Sequence, residues 1–255
     1  MKIIIAPAKK MVIDTDTFTY DGRPQYLAAT RQILAQLRQL TYPQAKVLWH
    51  CSDKLAHTNY DWLQQLDLNR QLTPALLAFS GIQYQYMAPD LFTAPALDYV
   101  RDNLRILSGF YGILRPFDGI VPYRLEMQSR LAVAGTPNLY TFWGDRLYHA
   151  LTPTPEPIIN LASQEYAKTI TPYLAPQQAM VTVTFGSLVD DQVKTKATLA
   201  KMARGAMVRY LAEHQATTVR DVTQFDHPDW TYSAVRSTSC LLYTSDAADD
   251  MQCVD

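Results

Sequence analysis

Apolar residues fall along the chain in two rhythms. Unbroken short runs mark buried strands: Lys2 to Ala6, closed by Pro7, and Pro157 to Leu161. Ala179 to Phe185 alternates and is β-branched, which predicts a third strand. Asp190-Asp191 reads as the turn of a hairpin back to Val193–Lys196. Helical spacing dominates elsewhere. After Pro24, Leu27, Ile33, Leu34, Leu37 and Leu40 give one helix an apolar face. Thr41-Tyr42-Pro43 opens a second helix, and Ser52 caps a third. Thr73–Phe79 reads as a short helix, and Ser80–Tyr86 as a loop and strand with Tyr84 and Tyr86 on one face. A helix is expected from Pro95 to Leu107. Ser163 caps another that holds Glu165. Thr198 to His214 is a long one, with Leu199, Met202, Ala203, Ala206, Met207 and Tyr210 on its apolar side. Pro153, Pro155 and Pro157 form a rigid connector. No internal repeat is present. Helices and strands in mixed order predict a mixed α/β (α+β) fold, with helices around a central mixed sheet.

The stretch from Leu104 to Met127 departs from both rhythms. It holds Gly109, Gly112 and Gly119, Pro116 and Pro122, and Arg105, Arg115 and Arg124. Glycine permits close backbone approach, and arginine offers a flat fork of donors suited to phosphate or carboxylate. The pattern reads as a helix end, a tight Gly-Phe-Tyr-Gly hairpin and an extended arginine-bearing segment. Two readings of the hairpin stand. It is an ordinary glycine C-cap and turn. Or Ile113 opens a second helix whose free N–H groups receive an anion such as a DNA phosphate, a helix-hairpin-helix variant with glycines two residues apart.

Composition narrows the class. The 255 residues fit one large or two small domains, and 48% are apolar, as in a soluble globular protein. No run is long enough to span a bilayer and the N-terminal run is too short for a signal peptide, which points to the cytoplasm. Net charge is −1, so any nucleic-acid binding needs a local basic patch. From about Val235 the chain reads VRSTSCLLYTSDAADDMQCVD, with no period matching what precedes it. It resembles the translation of a sequencing-adapter run after a truncated gene. Residues 1–234 are therefore read as a single domain, and 235–255 as a non-native tail expected to pack poorly. That tail has one arginine and four aspartates, so residues 1–234 are net positive. It also holds Cys240 and Cys253. The body keeps only Cys51, so no disulfide framework is expected.

Chemistry-bearing residues are scattered. Lys9 and Lys10 follow the first strand, where ligands often bind in α/β proteins, although a solvated loop is the plainer reading of Lys10. His50, Cys51, Asp53 and His57 match no zinc spacing, so no metal or other cofactor is assigned. Lys194, Lys196, Lys201, Arg204 and Arg209 form a second basic cluster, which charge alone would leave as a solvated face.

Together these motifs resemble the YaaA family of bacterial peroxide stress proteins. The matching pieces are Pro7-Ala8-Lys9, Ser52–Ala56, LRILSGFYGILRPFD with PYRLEM, LYTFWGD from Leu139, NLASQEY from Asn160 and AKMARGAM from Ala200. The resemblance implies a cytosolic mixed α/β protein with a basic cleft and a helix-hairpin-helix element. It implies a role in resisting hydrogen peroxide, in limiting damage from unincorporated iron, and in binding DNA. Carried onto matching positions, the cleft candidates are Lys9, Arg105, Gly109, Gly112, Arg115, Arg124, Glu126, Asp145, Asn160, Glu165, Lys201 and Arg204. Three departures accompany it. Ile82 follows Gly81 where the family has a carboxylate, Met202 replaces a common lysine, and the family's C-terminal apolar strand gives way to the tail.

Two functions follow as expectations. In the first, hairpin and cations hold the backbone of double-stranded DNA with little sequence preference. In the second, the same cleft is an enzyme site for a small anionic substrate, with Lys9 and an arginine as holders and Glu126, Asp145 or Glu165 as acid or base.

Overall fold

The computed structural model describes residues 1–151, 156–189, 192–238 and 241–246. In chain order its elements are β1 (Lys2–Ile5), α1 (Leu27–Arg38), α2 (Tyr42–Trp49), α3 (Asp53–Gln65), β2 (Thr73–Pro74), α4 (Ala75–Ala78), α5 (Ile82–Met87), α6 (Ala94–Asn103), β3 (Leu104–Ser108), β4 (Gly112–Leu114) and β5 (Gly119–Ile120). Then follow α7 (Leu139–Trp143), α8 (Arg146–Leu151), β6 (Ile158–Asn160), α9 (Gln164–Ala167), β7 (Met180–Val189), β8 (Gln192–Lys194), α10 (Ala197–Glu213), α11 (Val219–Thr223), β9 (Trp230–Tyr232) and β10 (Leu241–Asp246). The Asp190-Asp191 turn, Pro153, Pro155, Cys240 and residues 247–255 lie outside the described residues.

One mixed sheet organises the fold, in the order β4-β3-β1-β6-β7-β10-β9, with β8 paired to β7. β1 lies parallel between β3 and β6, so Ile3 sits opposite Leu104 on one side and Ile159 on the other. Ile3, Ile4 and Ile5 are fully buried, as expected where helices cover both faces of a parallel sheet.

Three local expectations are corrected here. The helix expected through Leu107 ends at Asn103, and Leu104–Ser108 is a central strand. No breaker separates the two, but Leu104, Ile106 and Leu107 are a continuous apolar run that pairs with the isoleucines of β1. Ile82–Met87 is a helix rather than a strand. Tyr84 turns inward and Tyr86 outward, so the two do not share a face. Within the tail, Leu241–Asp246 is a strand between β7 and β9, parallel to the first and antiparallel to the second, with Thr244 buried. Strand pairing runs through backbone N–H and C=O groups and makes weak demands on sequence.

The glycine hairpin is a β-hairpin. Ile113 begins no helix; it lies in β4, antiparallel to β3. The N–H groups of Phe110 and Tyr111 donate to Ser108 Oγ at 3.2 and 2.9 Å, so they are not held out to an anion. Both rings are buried. Gly112, at φ +78°, faces the Trp143 and Leu147 side chains, where a Cβ would stand 2.8 Å from each. The expected anion-binding helix-hairpin-helix is therefore replaced by a hairpin plugged into the core.

Candidate functional site

The hairpin's contribution is to position the segment that follows it. A Cβ on Gly109 would stand 3.0 Å from the Glu126 carbonyl carbon and the Leu125 oxygen, so the hairpin lies directly on that backbone. Trp143 Nε1 donates to the Gly109 carbonyl at 3.0 Å. Tyr123 Oη and Ser108 Oγ share a hydrogen bond of 2.7 Å. Trp49 Nε1 donates to the Arg124 carbonyl at 2.7 Å. Buried aromatic donors thus fix Tyr123–Glu126 from two sides.

Four other segments meet this one. The loop after β1 brings Ala6–Lys10, α5 and its leading turn bring Ser80–Tyr84, the start of α9 brings Ser163, Glu165 and Tyr166, and α10 brings Lys201 and Arg204. They enclose a cleft of about 520 Å³ beyond the C-terminal ends of the adjacent parallel strands β1 and β6. That is where ligands lie in open α/β sheets. Tyr84 Oη donates to the Ala6 carbonyl at 3.0 Å and ties α5 to the loop. Gly205 lets α10 lie against α5, because a Cβ there would run into the Gln83 carbonyl oxygen.

The cleft is rich in donors and uneven in charge. Lys9 Nζ meets Glu126 Oε1 at 2.8 Å, and Arg124 Nη2 approaches the same oxygen at 3.6 Å. Glu165 Oε1 accepts from the Gln128 N–H at 3.1 Å. Burial, then the nearby Glu126, holds the Glu165 carboxyl above the ordinary range, against the pull of the Gln128 and Met127 N–H groups and Lys9. The lining carries five basic side chains (Lys9, Lys10, Arg124, Lys201, Arg204) against the acidic Glu126 and Glu165. Burial lowers the Arg204 pKa, with no carboxylate among the described residues to compensate. Gln83 Nε2, Arg124 Nε and Arg204 Nε are buried without a hydrogen-bond partner among the described residues. Each such atom costs about 1–3 kcal/mol.

Of the twelve expected cleft residues, Lys9, Arg124, Glu126, Glu165, Lys201 and Arg204 come together here. Lys10 lies at its edge and is exposed. The others lie elsewhere. Arg105 and Arg115 line a separate concavity with Lys2, Asp21, Arg101, Asp102, Phe117 and Asp118. Charges there are largely matched: Arg101 pairs with Asp21 at 2.8 Å and Asp98 at 2.6 Å, and Arg115 with Asp118 at 3.1 Å. Arg105 Nη1 donates to the Leu104 and Arg101 carbonyls at 2.7 and 3.2 Å. Gly109 and Gly112 are packing positions. Asn160 ends β6 and is buried; it donates to Thr182 Oγ1 at 3.1 Å and accepts from the Ala162 N–H at 3.0 Å. Asp145 is exposed and faces His149 at 3.3 Å. Arg209 pairs with Glu213 at 2.8 Å.

Sequence reasoning missed Gln83, Ser163, Tyr123 and Tyr166 as lining of the cleft; Tyr84, for which core and cleft are both open from sequence, lines it. The one available signal for Gln83 was Gly205, a glycine inside a strong helical pattern, which marks close approach by another backbone.

The whole body of the chain has known counterparts. The family model described as peroxide stress protein YaaA matches residues 1–236. A UPF0246 protein of Lactiplantibacillus plantarum is 71% identical over 239 residues, covering 94% of this chain and 96% of its own length. One from Lacticaseibacillus paracasei is 53% identical over 242 residues, covering 95% and 98%. A more distant one from Lachnoclostridium phytofermentans is 46% identical over 232 residues, covering 91% of each. Among the described residues no helix is long and apolar enough to cross a membrane. The chain belongs to the peroxide stress protein YaaA family, whose relatives also carry the name UPF0246.

Proposed function

We propose that the protein serves peroxide resistance by acting on a small anionic molecule in the cleft between the β1 loop, α5, Tyr123–Glu126, α9 and α10. The observation that carries this is convergence: four expected cations and two carboxylates share about 520 Å³, a volume far below that of a duplex. Lys9, Arg124, Lys201 and Arg204 hold the anion. Glu165, whose proton is retained beyond the ordinary range, exchanges a proton with it. Damage linked to unincorporated iron is then limited through what the cleft binds or converts.

A second reading keeps DNA as the partner, and the exposed Lys9, Lys10 and Lys201 around the cleft support it. They would contact backbone phosphates without reading sequence. A salt titration separates the two. The small-molecule reading expects negligible duplex affinity at physiological salt. A tight duplex complex that weakens steeply with salt, and weakens further in Lys10→Gln and Lys201→Gln, would overturn it in favour of DNA.

A further inference from the structure

We propose that Gln83, Arg124 and Arg204 form an oxyanion seat in the cleft, for the phosphate of a small phosphomonoester. This rests on the reading of the cleft as the working site and adds the chemical class of its ligand. Among the described residues four buried side-chain nitrogens lack a hydrogen-bond partner, and three of them line this one cleft. Folded proteins leave few such groups, so three in one cavity, from three separate segments, are a site rather than a packing error. Gln83 is 6% exposed, so its amide sits in the cleft wall rather than in bulk water.

The seat's chemistry selects the ligand. The unpartnered atoms are all donors, so the complement is an acceptor. Glu126 is already engaged by Lys9 and approached by Arg124, while Arg204 has no ion pair among the described residues. Five basic against two acidic side chains leave room for more than one negative charge. A carboxylate brings two oxygens and one charge. A phosphomonoester brings three free oxygens and up to two charges, one oxygen for each donor side chain, and guanidinium forks match phosphate geometry. Ile82, Tyr84, Tyr123, Leu125 and Tyr166 supply the apolar lining, which suits a ring or hydrocarbon on the ester oxygen.

The test uses thermal shift and calorimetry on the full chain, with inorganic phosphate, phenyl phosphate, benzoate and a short DNA duplex as probes. The comparison variants are Arg204→Met, which keeps the stem without the donors, and Gln83→Leu. Phosphate near a hundred times its Kd is expected to raise the wild-type Tm by roughly 5–10 °C. Phenyl phosphate should bind at least about tenfold tighter than benzoate, and either variant should weaken it about tenfold or more. Without ligand, Arg204→Met should melt no lower than wild type, since it removes a buried donor that has no partner; a purely structural Arg204 would lower it. Equal phosphate binding by wild type and both variants, or none by wild type, overturns the seat. Benzoate binding that needs Lys9 or Lys201 but neither Gln83 nor Arg204 overturns the seat and leaves the cleft reading standing. Binding of the duplex alone overturns both.

Discussion

Gly205 of α10 and Gln83 of α5 are in backbone contact: the glycine's missing Cβ is the space that the Gln83 carbonyl oxygen occupies. This contact brings the α10 cations to the same wall as the Gln83 amide. Gly205→Ala must push the helices apart. The expected cost is about 1–3 kcal/mol in denaturant unfolding, the usual range for an overpacked core, despite alanine's better helix propensity. Ligand affinity in the cleft should fall with it. A stabilised Gly205→Ala protein would show that the helices are not held at this distance.

Gly112 separates the core from the interface that was expected of it. With φ at +78° and Trp143 and Leu147 in contact range, Gly112→Asp is expected to destabilise the fold by more than about 2 kcal/mol. Trp143 fluorescence should change at the same time. A variant that kept wild-type stability and lost only polyanion binding would restore the hairpin as a contact surface.

Glu165 makes a signed prediction about pH. Its folded pKa lies above the ordinary value of 4.5, so its contribution to stability is present below that pH and is lost as pH rises through the folded value. Glu165→Gln resembles the protonated form and keeps an acceptor for the Gln128 N–H. The variant should match wild type near pH 4 and become the more stable protein as the medium approaches neutrality. Calorimetric Tm across that range reads the crossover. A variant less stable than wild type at neutral pH would mean the carboxylate is held charged.

Buried phenols set the alkaline limit. Burial pushes the Tyr84, Tyr111 and Tyr123 hydroxyls above their ordinary value of 10.0, so stability is lost as pH rises past 10.0, where the unfolded chain ionises first. In an absorbance titration these tyrosines should ionise together with loss of circular dichroism. Early, reversible ionisation of all tyrosines in a folded protein would contradict their burial.

Legibility in the sequence followed the physics of each element. β1, β6, β7, α1 and α10 carry strong apolar periods and were readable. Leu104–Ser108 was not, because a strand buried on both faces has no alternation and this one continues a helix without a breaker. Ile82–Met87 was not, because Tyr84 and Tyr86 mimic a strand's period although only one is buried. The cleft's cations were visible as residue types. Which of them converge depends on crossovers between distant segments, so Arg105 and Arg115, which the family resemblance puts in one cleft with Arg124, line another concavity. Gln83, neutral and inside a misread segment, carried no signal of its own.

The most direct measurement is survival under hydrogen peroxide of cells lacking their own copy and supplied with one of three versions. Wild type and Arg105→Gln, which alters only the charge-matched concavity, are expected to protect equally. Lys9→Gln combined with Arg204→Met is expected to lose most of the protection at equal protein abundance. Full protection by the double variant, or loss confined to Arg105→Gln, would contradict the cleft as the working site.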